Sequence, residues 1–443
     1  MKNAYELIKR FDLLKPGEVI GVACSGGSDS MTLLHFLNSV KEDYDIEIVA
    51  INVDHCIRQE SANDTAFVVN YCRENRIRCH KFKVDATLVA RNEKISLEEA
   101  ARKARYGVFE ALLEKGIVDK IALAHHEQDQ IETILLNLFR GTGLKGISGM
   151  EPIRDKFIRP FLNTSKKNIL SYIYMNEIPF VEDSTNNDIE YSRNLLRNKI
   201  VPLIKENWPN FETNLLNFAR ICKQDDDYIN STINFDDLIF EKNYVKIPLY
   251  YFVYKPSIIN RILRKSFEKL KLLKDIENKH LTIITQVAIE GENGVKINLP
   301  NNITAHKEYD YLTLSVKQEK KQIVPKEFLT GKRELFNGYS VKIRKTSKAN
   351  FEDKTALYID AKKLPEGAVW RTRKEGDNFE RFGSGNKKLK NFFIDSKIPN
   401  RLRNEIPVLA VDNEIYVVLG YEISNKVKID ETTKQIYEIK IDK

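Results

Sequence analysis

The sequence predicts an α/β protein: an N-terminal parallel sheet with helices on both faces, a mainly helical middle domain and a small α+β C-terminal domain. Three observations carry this. Short apolar, β-branched runs alternate with helical patterns through the first two hundred residues, which implies βαβ units. A small-residue turn, SGGSDS at 25–30, joins the first such run to the first clear helix. Near residue 209 the text becomes rich in Lys, Asn, Ile and Asp, and after about 335 it breaks into short β segments.

Val19–Cys24 (VIGVAC), Ile46–Val53 (IEIVAINV), Arg78–Val84 and Lys120–Ala124 read as buried strands. Helical periodicity falls at about 29–40, 63–75, 97–115 and 127–140. Ligands of such sheets sit at the carboxyl ends of the strands. SGGSDS follows the first strand, Asp54 and His55 the second, and His125–Asp129 the fourth. Further on, helices are expected near 211–232 and 257–285, strands at VKINLP and YLTLSV, a helix near 387–397, and two strands around the Asp412–Glu414 turn. The expected domains are 1–208, 209–320 and 335–443, with the charged run Lys317–Lys321 as linker.

Composition narrows the class. The chain has 443 residues, 42% hydrophobic and 30% charged, enough for several cores. No uncharged apolar run reaches the roughly 18 residues of a membrane span, and the N-terminus lacks the compact apolar stretch of a secretory signal. Five scattered cysteines without a CxxC pair fit a reduced cytoplasmic chain and oppose a disulfide framework or structural zinc. Lys and Arg outnumber Asp and Glu by 71 to 63, a net charge of +8 that permits a nucleic-acid partner without requiring one. The sequence is compatible with a homodimer but fixes no oligomeric state.

The turn Ser25-Gly26-Gly27-Ser28-Asp29-Ser30 has the makings of a phosphate cradle. Glycines admit close backbone approach, serines add donors, and the following helix offers oriented N–H groups. Asp29 would repel phosphate unless it holds a Mg²⁺ that bridges the phosphate oxygens. The plainer alternative is a turn with Asp29 as a helix cap. No Lys-Ser or Lys-Thr follows in the Walker A position, which argues against the usual γ-phosphate hydrolysis.

A second cluster, AHHEQDQIET at 124–133, opens the helix whose core stripe is Ile131, Ile134, Leu135, Leu138 and Phe139. Asp129 and Glu132, three residues apart, share a helix face. They could bind an ammonium group, help hold Mg²⁺ or act as a base; capping by Asp129 with a solvated Glu132 is the alternative. His125–His126 does not form HExxH, so no zinc site is expected. Gly141–Gly146 spells GxGxxG, but it follows a helix instead of a strand and reads as a loop beside the site.

SGGSDS resembles the signature of the PP-loop ATP pyrophosphatases, which cleave ATP between its α and β phosphates. With NVDH at 52–55, EEAARKARY at 98–106, AHHEQDQIET, GTGLKGISGM at 141–150, IRPFL at 158–162 and EDSTNND…SRNLLRNKIVP across 182–202, the chain is similar to the tRNA(Ile)-lysidine synthetase family. WRTRKEGDNFERFG and KKLKNFFIDSKIPNRLR extend the likeness to the C-terminal domain, whereas the middle domain matches in position and size alone. Two departures are Glu127, where relatives carry other residues, and Glu422, where the family often has Arg.

The resemblance implies a five-stranded parallel sheet, ATP and Mg²⁺ as cofactors, and a two-step ligation. ATP adenylates the C2 carbonyl oxygen of the wobble cytidine of a tRNA(Ile) with a CAU anticodon, and free L-lysine then displaces AMP. Ser25, Gly26, Gly27, Ser28, Asp29 and Ser30 would hold the phosphates, with Ile51 and Val53 lining the adenine pocket. Asp29, Arg105, His125, Asp129, Glu132 and Arg197 form the implied catalytic set, and Arg193 is expected to grip the tRNA.

From Trp370 to Arg403, ten basic residues face four acids, a net of +6 in 34 residues with four interleaved phenylalanines. Within it Arg371, Arg373, Lys387, Lys388, Lys390, Arg401 and Arg403 are the expected RNA contacts, a solvated charged face being the alternative. A PP-loop tRNA thiolase would need a cysteine pair that is missing from the sequence, and a small-molecule amidotransferase would leave the basic segment unexplained. An RNA-binding module that merely holds nucleotide would be indifferent to loss of Asp29.

Overall fold

The computed structural model describes residues 1–56, 61–181, 192–273, 275–316, 323–353, 355–383, 385–400 and 402–442. Contacts divide the chain into two units, Met1–Ser231 and Thr232–Lys443.

The first unit opens with α1 (Lys2–Phe11), β1 (Val19–Ala23), α2 (Ser28–Val40), β2 (Glu47–Asp54), α3 (Ser61–Glu74) and β3 (Arg78–Lys83). It continues with α4 (Ala86–Glu93), α5 (Leu97–Glu114), β4 (Lys120–Ala122), α6 (Glu127–Phe139) and α7 (Leu144–Ile147). The short strands β5 (Ile153–Arg154) and β6 (Phe157–Ile158) precede α8 (Lys166–Met175), α9 (Ser192–Leu195), α10 (Val201–Asn207) and α11 (Phe211–Ser231), with a π-helical turn at Leu196–Ile200.

The sheet order is β3-β2-β1-β4-β6-β5. Five strands are parallel, as expected, and β5 adds an antiparallel edge. The fifth parallel strand is two residues long, too short to leave a periodic trace. One face is sealed by α1, α2, α3 and α8 through Leu7, Met31, Leu34, Phe36, Val68 and Ile169, and the other by α5 through Phe109 and Leu112. Gly21, at the middle of β1, is closely packed: a Cβ there would stand 2.5 Å from Ile51 Cδ1, so that side chain would have to shift.

Strand order reverses between β1 and β4, so the segments that follow them flank one crevice at the carboxyl edge. A recess of about 300 Å³ lined by Lys41, Glu42, Glu47 and Arg78 lies where β2 and β3 begin, at the opposite end.

The expected boundary at 208/209 falls inside the first unit. α11 stays with it because Leu215, Leu216, Ala219 and Cys222 pack on Ile131, Ile134, Leu135 and Ile147 of α6 and α7. The expected linker Lys317–Lys321 lies outside the described residues.

In the second unit, helices Pro256–Lys269 and Asn278–Glu290 pack on a five-stranded antiparallel sheet spanning 239–316. The single helix expected at 257–285 is two, because Lys271 takes φ 57 and Leu272 N–H closes on Phe267 O at 3.0 Å. Beyond residue 323 lie a seven-stranded and a four-stranded sheet, with one helix at Leu389–Asp395. Val408–Val411 and Glu414–Val418 pair antiparallel around the expected turn, where Asp412 has φ 47.

Candidate active site

β1 runs into Cys24, whose N–H donates to Ile51 O at 2.9 Å, and the chain then lifts off the sheet. Gly26 has φ 94, a conformation that side chains oppose, and Gly27 caps α2. Ser30 Oγ donates to Gly27 O at 3.0 Å, accepts from Ser25 N at 3.2 Å and lies 3.2 Å from Ser25 Oγ. The loop is therefore prefolded around Ser30, with Asp29 on the first turn of α2, half-exposed. The cap reading is not what the geometry shows: Asp29 makes no cap hydrogen bond and its oxygens point to other elements.

Those elements are the start of α6 and the start of α8. His126 caps α6: its Nδ1 accepts from Gln128 N at 3.2 Å, while Asp129 Oδ2 accepts from His126 N at 2.9 Å. With Nδ1 an acceptor, the ring proton belongs on Nε2. Nε2 faces Asp29 Oδ2 and Asp129 Oδ2, each at 3.6 Å. Lys166 Nζ reaches Asp29 Oδ1 at 2.5 Å and Ser28 Oγ at 3.1 Å. Burial drives the Asp29 carboxyl up, and His126 and Lys166 together overrule it, so the group titrates below its ordinary value and stays ionised.

Glu132 is 0% exposed. Arg197, on the π-helical turn, grips it with Nε at 2.6 Å and Nη2 at 3.1 Å, and Nη2 also stands 3.3 Å from Asp129 Oδ1. The solvated alternative for Glu132 is thereby excluded, while Asp129 both caps the helix and faces the crevice. Burial raises the Glu132 carboxyl against the opposing pull of Arg197. A buried carboxylate held by a single displaceable cation can receive an ammonium group or accept a proton.

Other expected residues are placed differently. Ile51 is 1% exposed, locked among Val49, Phe109, Leu112 and Ile121, so it offers no open face to a base; its carbonyl meets the loop instead. An apolar residue near a strand end points to either face, and this one points at α5. Val53 packs at the edge of the same cluster, half-buried.

His125 Nδ1 accepts from Arg159 Nε at 3.2 Å. Burial, reinforced by Arg159 and Arg193 and opposed by Asp129, pushes it down to about 4, so at neutral pH it is an uncharged acceptor. Arg105 lies near Arg102, Arg193 and His55, and burial lowers it. Arg193 Nη2 donates to Thr133 Oγ1 at 3.4 Å, next to Glu132 in the chain.

His126, Arg159 and Lys166 escaped the sequence reading. Lys166 carried a signal: a lysine directly after a Ser N-cap sits against the helix dipole, an unfavourable place without a nearby anion.

In the second unit Arg371 is buried, pairing with Asp377 through both Nη atoms at 2.8 and 2.9 Å and donating to Asp412 O at 2.6 Å. Its Nη1 also donates to Thr372 O at 2.9 Å, so both Nη groups are engaged, and with the side chain 4% exposed the geometry favours a structural role over the expected RNA contact. Phe379, Phe392 and Phe393 are core, and Phe382 alone among the four phenylalanines is exposed. Arg373 Nε donates to Asn404 Oδ1 at 2.7 Å, and Arg403 Nε to Ile398 O at 2.7 Å. Lys387, Lys388 and Lys390 are exposed. Arg401 lies outside the described residues. Glu422, noted above as a departure from the family pattern, is held by Arg381 Nε at 3.0 and 3.2 Å.

No group of three or more His, Cys, Asp or Glu among the described residues could bind a metal by itself. One ionised carboxylate beside a phosphate cradle fits Mg²⁺, which is commonly held by one or two carboxylates together with substrate phosphates.

A prefolded serine-glycine loop at the switch point of a parallel sheet, with an ionised aspartate at its rim, defines a PP-loop nucleotide-binding enzyme. Residues 2–204 match the PP-loop domain model and 368–440 the TilS substrate C-terminal domain model. The tRNA(Ile)-lysidine synthases of Clostridium tetani and Clostridium acetobutylicum are each 34% identical to the chain, over 98% and 100% of it and 97% and 99% of their own lengths. That of Oceanobacillus iheyensis is 33% identical over 94% of each. The chain belongs to the tRNA(Ile)-lysidine synthase family.

Proposed function

We propose that this chain is an ATP-dependent carbon–nitrogen ligase that joins free L-lysine to C2 of the wobble cytidine of a CAU-anticodon tRNA(Ile). The product, lysidine, pairs with A instead of G and moves the codon specificity from AUG to AUA. The observation that carries the reading is the convergence of two acidic clusters with opposite tasks: Asp29 at the phosphate loop, and Asp129 with Glu132 across the crevice, linked through His126.

The chemistry divides between them. The backbone of Gly26 and Gly27 and the hydroxyls of Ser25 and Ser28 cradle the β and γ phosphates. Mg²⁺ held at Asp29 would neutralise their charge. The C2 carbonyl oxygen of cytidine attacks the α-phosphorus, the bond to the bridging oxygen breaks, and pyrophosphate leaves with the electron pair. Such a transfer needs positioning and charge stabilisation and no protein nucleophile. The ε-amine of lysine then attacks C2 and AMP departs. Asp129 and Glu132 receive the ammonium groups of lysine or take the proton it loses, with Arg197 yielding its place.

The exposed Lys387, Lys388 and Lys390 of the C-terminal domain supply contacts to the tRNA backbone, joined by Arg193 beside the site. No helix among the described residues is long and apolar enough to cross a membrane. We place the reaction in the cytoplasm, beside its tRNA.

The test is incorporation of labelled lysine with ATP and Mg²⁺ into tRNA(Ile) transcripts bearing CAU or GAU. Lysine in the CAU transcript alone, with AMP and pyrophosphate released, is the expected result. Sulfur in place of lysine would point to the thiolase reading, and no incorporation by folded, ATP-binding protein would sink the assignment of the acceptor.

A further inference from the structure

We infer that Lys166 is a pyrophosphate-contacting catalytic residue: it pairs with Asp29 and turns to the β and γ phosphates when ATP binds. The inference rests on the adenylation reading and names a residue that neither the loop nor the acidic clusters contain.

The geometry is specific. α8 lies against α2, with Phe36 and Tyr172 ring centroids 6.3 Å apart and Tyr172 Oη 3.1 Å from His35 Nδ1. Both helices therefore begin at the same place, and Lys166, the first residue of α8, stands over the first turn of α2. Its ammonium touches Asp29 Oδ1 and Ser28 Oγ, two groups of the loop itself. Side-chain exposures of 33% for Lys166 and 31% for Asp29 leave the pair open to a ligand.

A cation at a helix N-terminus is disfavoured by the backbone dipole, and Asp29 offsets this. A diphosphate moiety brings more negative charge than one carboxylate, and an ammonium has three donors to give. A Mg²⁺ held by Asp29 would supply its counter-charge there, and the flexible stem of Lys166 would let its ammonium reach the phosphates. There it stabilises the charge that develops on the bridging oxygen as the bond to the α-phosphorus breaks. It transfers no proton and gives hydrogen bonds only.

The experiment compares ligands with and without the β and γ phosphates. Binding of α,β-methylene-ATP and of AMP, both with Mg²⁺, is measured on the full chain and on its K166Q and K166R variants, with thermal unfolding as the folding control. Loss of one charged phosphate contact predicts α,β-methylene-ATP binding weaker by roughly ten- to a hundred-fold in K166Q. AMP should stay within about twofold, and K166R should recover part of the loss. Product inhibition by pyrophosphate should weaken in parallel. Equal weakening of AMP and the triphosphate analogue, or no change in either, overturns the assignment. Should K166Q fail to fold, K166R decides, through a triphosphate-specific loss or its absence. Lysine incorporation by the wild-type protein is scored separately. If that fails while the triphosphate-specific loss stands, the acceptor reading falls and the pyrophosphate role survives.

Discussion

The crevice of the first unit and the basic segment of the second are built from the same residue types, with opposite results. At the crevice, Lys166 and Arg197 meet Asp29, Asp129 and Glu132 from partly exposed positions, and each cation holds a place that a substrate cation could take. In the basic segment, Arg371 and Asp377 are both almost wholly buried, and every oxygen of Asp377 is satisfied by Arg371 or by Lys374 N. An ion pair sealed from water is fixed, because parting it strands a charge. At the crevice Glu132 is buried too, but the cations Lys166 and Arg197 keep about a third of their side chains exposed and can exchange partners. Accessibility, more than charge, separates machinery from scaffold here.

The comparison can be broken most sharply at its buried side. Arg371→Ala should cost about 3–5 kcal/mol, since it leaves Asp377 unpaired in the interior. Urea unfolding followed in the second unit should show it, and wild-type stability combined with weakened tRNA binding would return Arg371 to the RNA interface. Next in size, Asp29→Ala should reduce lysine incorporation by roughly 10²- to 10³-fold, the usual cost of losing a charge-stabilising group. Its tRNA affinity should stay within about twofold; unchanged turnover would remove Asp29 from the chemistry.

A smaller effect is expected at the exposed lysines. Lys387→Ala with Lys388→Ala should weaken tRNA binding several-fold and lower the slope of log affinity against log salt by about 1 to 2. A loss confined to stability would make them a solvated face.

The smallest effect concerns His125, held near 4 by burial against an unfolded value of 6.5. The folded protein keeps this ring neutral, so the unfolded chain binds the extra proton first as pH drops. His125 thus costs nothing above pH 6.5 and lowers stability progressively between 6.5 and about 4. Replacing it with Gln should make the acid limb of a stability–pH curve shallower, and an NMR titration should show no His125 midpoint between pH 6 and 7.

Legibility in the sequence differed between elements for physical reasons. The strands at 19–24 and 46–53 were readable because central parallel strands are buried on both faces and appear as continuous apolar runs. β5 and β6 are two residues each, below any period. The break at 270–277 escaped because no glycine marks it; a lysine adopts the left-handed turn. Asp29, Asp129 and Glu132 were singled out through loop chemistry and helical spacing, and the structure links them through His126 and Arg197. His125 and His126 are neighbours whose roles no pattern separates, and the cap geometry that assigns them depends on Asp129.

By itself, then, the sequence determined the alternation of strand and helix, the phosphate loop and the acidic face of α6, since these follow from backbone preference and from spacing within a few residues. Tertiary structure alone decided that Lys166 meets Asp29 across 137 positions, that Arg197 meets Glu132 across 65, and that Arg371 is sealed away. Such contacts depend on which helices pack side by side and which side chains lose water in doing so, quantities that no local pattern encodes.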